Sequence, residues 1–153
     1  MKVRIEINEN MDEDEVIIRC GELDESVRKV YDFVMDSAKG SRHLMLYQGN
    51  VDYYIPMESI LFFETSGNCI RAHTVDSVYE TTYRLYELEE LLPGYFMRVS
   101  KSAIINLNHI YSISRNLTSS SEIQLRNTHK QVFVSRHYYK SLKLRLEEKR
   151  KCI

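Results

Sequence analysis

A chain of 153 residues with 43% hydrophobic and 28% charged side chains has material for one ordinary core, or for a domain with an appendage. No apolar run approaches the roughly 18 residues of a membrane span, and the opening stretch MKVRIEINEN alternates in polarity at once. A membrane-embedded chain and a signal peptide are thereby disfavoured, and a cytoplasmic protein is expected. The formal charge of −1 averages two unlike parts: residues 1–40 hold 11 acidic and 6 basic side chains, residues 41–153 hold 15 basic and 11 acidic. That split has two readings: chance segregation on a solvated surface, or a basic binding module behind an acidic segment with a regulatory or pairing role.

In chain order, KVRIEI (2–7) sets Val3, Ile5 and Ile7 against charged neighbours, the period of a half-buried strand. After the acidic NENMDEDE, VIIRC (16–20) reads as a second strand. Asp24 then caps a helix over 25–38 with Val27, Val30, Tyr31 and Val34 on one face, closed by Gly40. This β-β-α piece is too small for a core of its own. From His43 onward short strands follow closely: HLMLYQ and VDYYIP around Gly49-Asn50, ESILFFET into CIRAHTV through Ser66-Gly67-Asn68, then VYETTY. LYELEELLPG reads as a helix with Leu85, Leu88 and Leu92 inward and Pro93-Gly94 as its stop. The strands FMRV, SAIINL, HIYSIS, SEIQLR and QVFVS come next. Ser135 is placed to cap a last helix over about 136–149, with Tyr138, Leu142, Arg145 and Leu146 on one side. Strands at intervals of about ten residues argue a mainly β core.

Catalysis finds no foothold in this pattern. His43, His73, His109, His129 and His137 fall one to a segment, with no pair at metal-ligand spacing. Cys20, Cys69 and Cys152 are odd in number and far apart, which fits reduced thiols better than a disulfide framework. Cys69 and His73 share a strand face but lack an orienting third group, and five glycines leave little for a phosphate loop. No enzyme activity, cofactor, metal or small-molecule substrate is expected.

Polar loops with basic tips remain: Ser66-Gly67-Asn68, Ser100-Lys101-Ser102 and Ser135-Arg136-His137. Arg, Lys and Asn are the side chains that reach base edges and phosphates, and serine hydroxyls add phosphate contacts. The Ser100-Lys101-Ser102 break is read as longer than the tightest hairpin loop. Some forty strand-rich residues separate the helices of the basic part, which rules out a helix-turn-helix.

Taken in order, ESILFFETSGN, YRLYELEELLPGYFMRVSKSAIINLNHI and QVFVSRHYYKSLKLRL resemble the LytTR family of bacterial DNA-binding domains over about 43–148. The resemblance implies small stacked antiparallel sheets with short helices, here preceded by the β-β-α segment, and double-stranded DNA read in the major groove by loops. It assigns DNA contacts to Asn68, Lys101 with its neighbours Ser100 and Ser102, and Arg136 with His137. Arg136 is the candidate for a bidentate guanine contact. Arg98 and Asn106 are assigned to the fold, Arg98 pairing with a carboxylate such as Glu64 and Asn106 tying a turn. Forty residues cannot hold the receiver domain that commonly precedes this module, so a stand-alone regulator is implied. Such regulators are associated with a small integral-membrane partner.

The expected function is therefore a sequence-specific bacterial transcription regulator, binding as a homodimer joined through residues 1–40. Two other readings stay open: a protein-interaction module using exposed sheet edges, and a redox-sensing regulator acting through Cys69.

Overall fold

The computed structural model describes residues 1–38 and 42–151, which fall into two compact units divided after Gly40. Gly40 and Cys152 lie outside the described residues.

In the first unit the helix α1 spans Glu25–Ala38, as the periodicity predicts. Its cap is Asp24, whose Oδ1 accepts the Val27 N–H at 2.9 Å while its carbonyl accepts from Arg28. The two strands expected at 2–7 and 16–20 do not form. A strand needs a neighbour to take its N–H and C=O groups, and a lone pair of strands is marginal in water. Alternation is present in KVRIEI, but Val3, Ile5 and Ile7 stay between 84% and 88% exposed.

The second unit opens with β1 (His43–Gln48) and β2 (Val51–Pro56), joined by a two-residue turn. Gly49 there has φ +55°, a left-handed conformation glycine adopts without steric cost. Next come β3 (Phe62–Ser66), β4 (Cys69–His73), β5 (Val78–Thr81), the helix α2 (Leu85–Leu91), β6 (Phe96–Ser100) and β7 (Ala103–Asn106). The chain ends with β8 (Ile110–Ser114), β9 (Ser121–Leu125), β10 (Gln131–Val134) and the helix α3 (Arg136–Lys151). All pairings are antiparallel. A seven-stranded sheet runs β2-β1-β5-β4-β3-β7-β6, and a three-stranded sheet runs β10-β9-β8.

Two hydrophobic cores lie on opposite faces of the large sheet. Leu44, Leu46, Phe63, Ala72 and Ile104 pack with Leu85 and Leu88 of α2. Phe62, Ala103 and Ile105 face the other way, toward Ile123, Leu125 and Val134 of the small sheet and Leu142 of α3. Side chains alternate along a strand, so Phe62 and Phe63, or Ile104 and Ile105, enter different cores. Burial on both faces explains why these segments read as continuous apolar runs. The fold of the second unit is thus mainly β with short helices, as the sequence predicts for 43–148.

Two further expectations need correction. Ser100 pairs with Ala103, so β6 continues one residue past Val99 and the connection is a tight turn of Lys101 and Ser102. A register shift between Arg98 and Ser100 absorbs the extra residue, and a bulge of this kind leaves no periodic trace in sequence. Arg98 does not pair with Glu64. It reaches Glu89 at 3.3 Å and binds the backbone carbonyls of Ser100 and Lys101 at 2.7 and 2.6 Å. Asn106 does tie the turn. It is fully buried, its Nδ2 donates to the Ile60 carbonyl and its Oδ1 accepts from the Asn108 N–H.

Candidate nucleic-acid interface

Strand register decides which loops meet. β3 runs antiparallel to both β4 and β7, with Ser66 opposite Cys69 and Glu64 opposite Ala103. The β3–β4 turn and the β6–β7 turn therefore leave the large sheet at the same end, and the Thr65 N–H donates to the Ser102 carbonyl at 2.8 Å. In the small sheet Val134 lies opposite Ser121, and Ser114 opposite Glu122. The 115–120 loop thus emerges beside the end of β10. A bond from the Ser135 N–H to the Val99 carbonyl, 2.9 Å, brings that corner against the end of β6. Four connections from two sheets converge on one end. Between them runs a groove of about 300 Å³ with polar and apolar walls, lined by Glu64, Ser100, Ser102 and Ser135 and by Phe62 and Phe133.

Each residue singled out by sequence lies at this end. Asn68 is exposed at the tip of the β3–β4 turn, beside Gly67 with φ +60°. Lys101 is exposed at the tip of the β6–β7 turn, whose carbonyls Arg98 holds from below. The Ser100 hydroxyl accepts the Ser102 N–H at 3.2 Å and lies 3.3 Å from the Ser102 hydroxyl. These two serines accordingly shape the tip that presents Lys101. Arg136 and His137 are exposed in the first turn of α3, where the Ser135 carbonyl accepts from the Tyr138 and Tyr139 N–H groups. His137 stands edge-on to the Tyr138 ring.

Arg115 is not among the expected contact residues, though its loop, SRNLTSSS, carries the same mix of cation, amide and hydroxyls as the assigned loops. Arg115 is exposed, with its guanidinium 5.9 Å from the Tyr139 ring centroid. The Asn116 N–H donates to Ser121 Oγ, and Asn116 Oδ1 accepts from both the N–H and the hydroxyl of Thr118.

Glu64, the carboxylate on the groove, bonds His73 Nε2 at 2.7 Å across β3 and β4. The His73 ring stacks on Phe62 at 4.2 Å, and its Nδ1 is buried with no hydrogen-bond partner. Burial holds the His73 pKa below its ordinary value, against the opposing pull of Glu64. Lys130 lies just before β10, in the turn that follows β9. Its Nζ binds the Thr74 and Ser77 carbonyls and ties two turns at the opposite end, and burial lowers its pKa too. Cys69 is half-buried, its thiol donating to the Ser66 carbonyl. Among the described residues no cluster of metal-ligating side chains occurs, and no helix is long and apolar enough to cross a membrane.

Residues 51–147 match the family described as the LytTr DNA-binding domain. An uncharacterized HTH-type transcriptional regulator of Staphylococcus aureus strain NCTC 8325 / PS 47 is 30% identical over 146 residues, 95% of this chain and 98% of the relative. Its counterpart in strain N315 matches to the same extent. A LytTr DNA-binding domain from Bacillus cereus superimposes with a TM-score of 0.62 and 26% identity, over 71% of this chain and 98% of that one. The staphylococcal relatives are named for a helix-turn-helix, whereas strands separate α1 from α2 and α2 from α3 among the residues described here. With the family match spanning most of the second unit and the relatives spanning nearly the whole chain, the protein belongs to the LytTR DNA-binding domain family.

Proposed function

We propose that this protein is a sequence-specific transcriptional regulator that binds double-stranded DNA by seating loop tips in the major groove. The observation that carries the reading is the convergence of four polar connections, tipped by Asn68, Lys101, Arg115 and Arg136, at one end of the 42–151 unit. Arg136 is the base reader, since a guanidinium matches the O6 and N7 acceptors of guanine with two parallel bonds. His137 stands beside it at the same corner. Asn68 offers an amide to a base or the backbone, and Lys101 a point charge to a phosphate. Family membership and the transcriptional-regulator names of full-length relatives support the same reading.

Selection of bound duplexes from random DNA, followed by titration against salt, tests it. Log affinity should fall linearly with log salt, at a slope of about −0.9 per phosphate contacted. Arg136→Ala should cost about 1–3 kcal/mol on the selected sequence and relax preference at one base position. Lys101→Ala should weaken selected and unrelated sequences alike. Folded variants that bind as wild type does would overturn the loop assignment.

We also propose that the segment 1–40 joins two copies of the chain. α1 carries Val27, Val30, Tyr31 and Val34 on one face, and the segment before it is rich in exposed apolar side chains.

A further inference from the structure

Beside the Arg136 corner lies a second concavity, a notch of about 150 Å³ lined by Arg115, Asn116, Ser119, Ser121, Arg136 and Tyr139, with no acidic residue in its wall. Arg115 follows directly on β8 and Arg136 opens α3, so the notch spans the end of the small sheet and the helix packed on it. Tyr139 lies three residues after Arg136, on the same side of α3, and its ring sits under the Arg115 guanidinium. That contact sets the guanidinium over the Tyr139 face at the edge of the notch. The Asn116 turn and its bond to Ser121 fix the loop from which Arg115 projects.

Two guanidiniums in one small recess repel each other until an anion enters, and neither can shed its charge. A phosphate oxyanion can accept from the Arg115 fork, and its charge offsets the repulsion between the two cations. We infer that the notch seats one backbone phosphate of the bound DNA against Arg115, a sequence-independent contact beside Arg136, whose own guanidinium stays with the base edge. The inference rests on the DNA-binding reading and assigns to Arg115 a role that reading does not require. A surface arginine stacked on Tyr139 for packing alone would leave DNA binding untouched.

The test uses the full chain, a duplex selected by wild type and a scrambled duplex of equal length, with Kd measured over a range of salt. Arg115→Ala should weaken both duplexes by a similar factor, about three- to tenfold, and reduce the magnitude of the salt slope by about 0.9. Arg115→Lys should restore the slope but only part of the affinity, because an ammonium supplies charge without the fork. An Arg115→Ala protein with wild-type affinity and slope overturns the phosphate contact while leaving the DNA-binding reading intact. A loss confined to the selected duplex also overturns it, since that marks a base contact. Absence of salt-dependent binding by wild type would sink the reading and the phosphate contact together. Matched thermal melts of the two variants and wild type check that the fold is unchanged.

Discussion

Arg98→Met separates the residue that presents the Lys101 tip from the residue that touches DNA. The substitution keeps an apolar stem of similar length and deletes the guanidinium. What is lost is a bond from Nε to the Ser100 carbonyl at 2.7 Å, one from Nη2 to the Lys101 carbonyl at 2.6 Å, and the 3.3 Å pair with Glu89. Hydrogen bonds from a charged donor contribute about 1.5–3 kcal/mol each when sheltered. The Lys101 carbonyl is at an exposed tip, which puts the two together nearer 2 kcal/mol than the sum of the upper values. Glu89 is 42% exposed, so its pairing adds under about 1 kcal/mol. Urea unfolding should therefore show a loss of about 2 kcal/mol with an unchanged m-value. The freed tip must be ordered again on binding, at a cost on the order of 1 kcal/mol, so affinity for the selected duplex should drop roughly fivefold. The salt slope should not move, since Arg98 meets no phosphate in this reading. A slope reduced as in Lys101→Ala would mean that Arg98 itself contacts the backbone. Unchanged affinity would mean that the tip needs no clamp, and either result refutes the reasoning.

Asn106→Ala removes a buried amide and leaves the Ile60 carbonyl and the Asn108 N–H unpaired, so stability should fall by about 2–4 kcal/mol in urea. A loss below about 1 kcal/mol would show that water or a shifted turn replaces it. His73 has its pKa held below the ordinary 6.5, so as pH falls the unfolded chain takes the proton first. Its contribution to stability is full above about pH 6.5 and declines from there down to the lower folded-state pKa, and His73→Gln should flatten that part of the pH profile. Identical profiles for wild type and variant would rule this out. A bulky thiol adduct on Cys69, next to Asn68 and paired with Ser66 across the turn, should weaken DNA binding by distorting the tip. A fully modified protein with normal affinity would end the redox reading.

What the sequence discloses here is local, and what it withholds depends on strand order. β1 and β2 fall where HLMLYQ and VDYYIP place them because Gly49 marks the turn and the alternation on each side is unbroken. α1 begins after Asp24 because an aspartate ahead of helical periodicity is a cap. The strands expected at 2–7 and 16–20 fail for the complementary reason: alternation describes a face and says nothing of what pairs with it. Glu64 illustrates the same limit inside the core unit. Its partner His73 lies diagonally across β3 and β4, and Arg98, the partner expected from charge alone, belongs to β6 beyond β7. Arg115 is not legible as part of this end, because the 115–120 loop joins two strands of the other sheet. Only the pairing of β9 with β8 and β10 brings it to the end where Arg136 emerges.

The acidic first unit poses a question of area. Among the described residues, half of the exposed large hydrophobic side chains fall within residues 1–35, including Ile5, Ile17, Tyr31 and Phe33. At on the order of 100 Å² for each of a dozen such groups, the segment presents on the order of 1,000 Å², comparable with the ~800 Å² per partner of a standard interface. Leaving that much apolar surface in water costs many kcal/mol at ~25 cal/mol per Å² and invites aggregation. A second copy offers the same apolar surface in return, which is the simplest way to cover both at once through a two-fold axis. Two DNA-reading units joined in this way would bind paired half-sites with linked affinity, the second contact being made at an effective concentration set by the connection. Sedimentation of the full chain at tens of micromolar should give a dimer, and a chain truncated to 41–153 should give a monomer that binds a two-site duplex no better than a one-site duplex. A monomeric full chain would instead assign the apolar surface to intramolecular packing or to a membrane-bound partner, and a truncated chain that dimerises equally well would move the interface into the second unit.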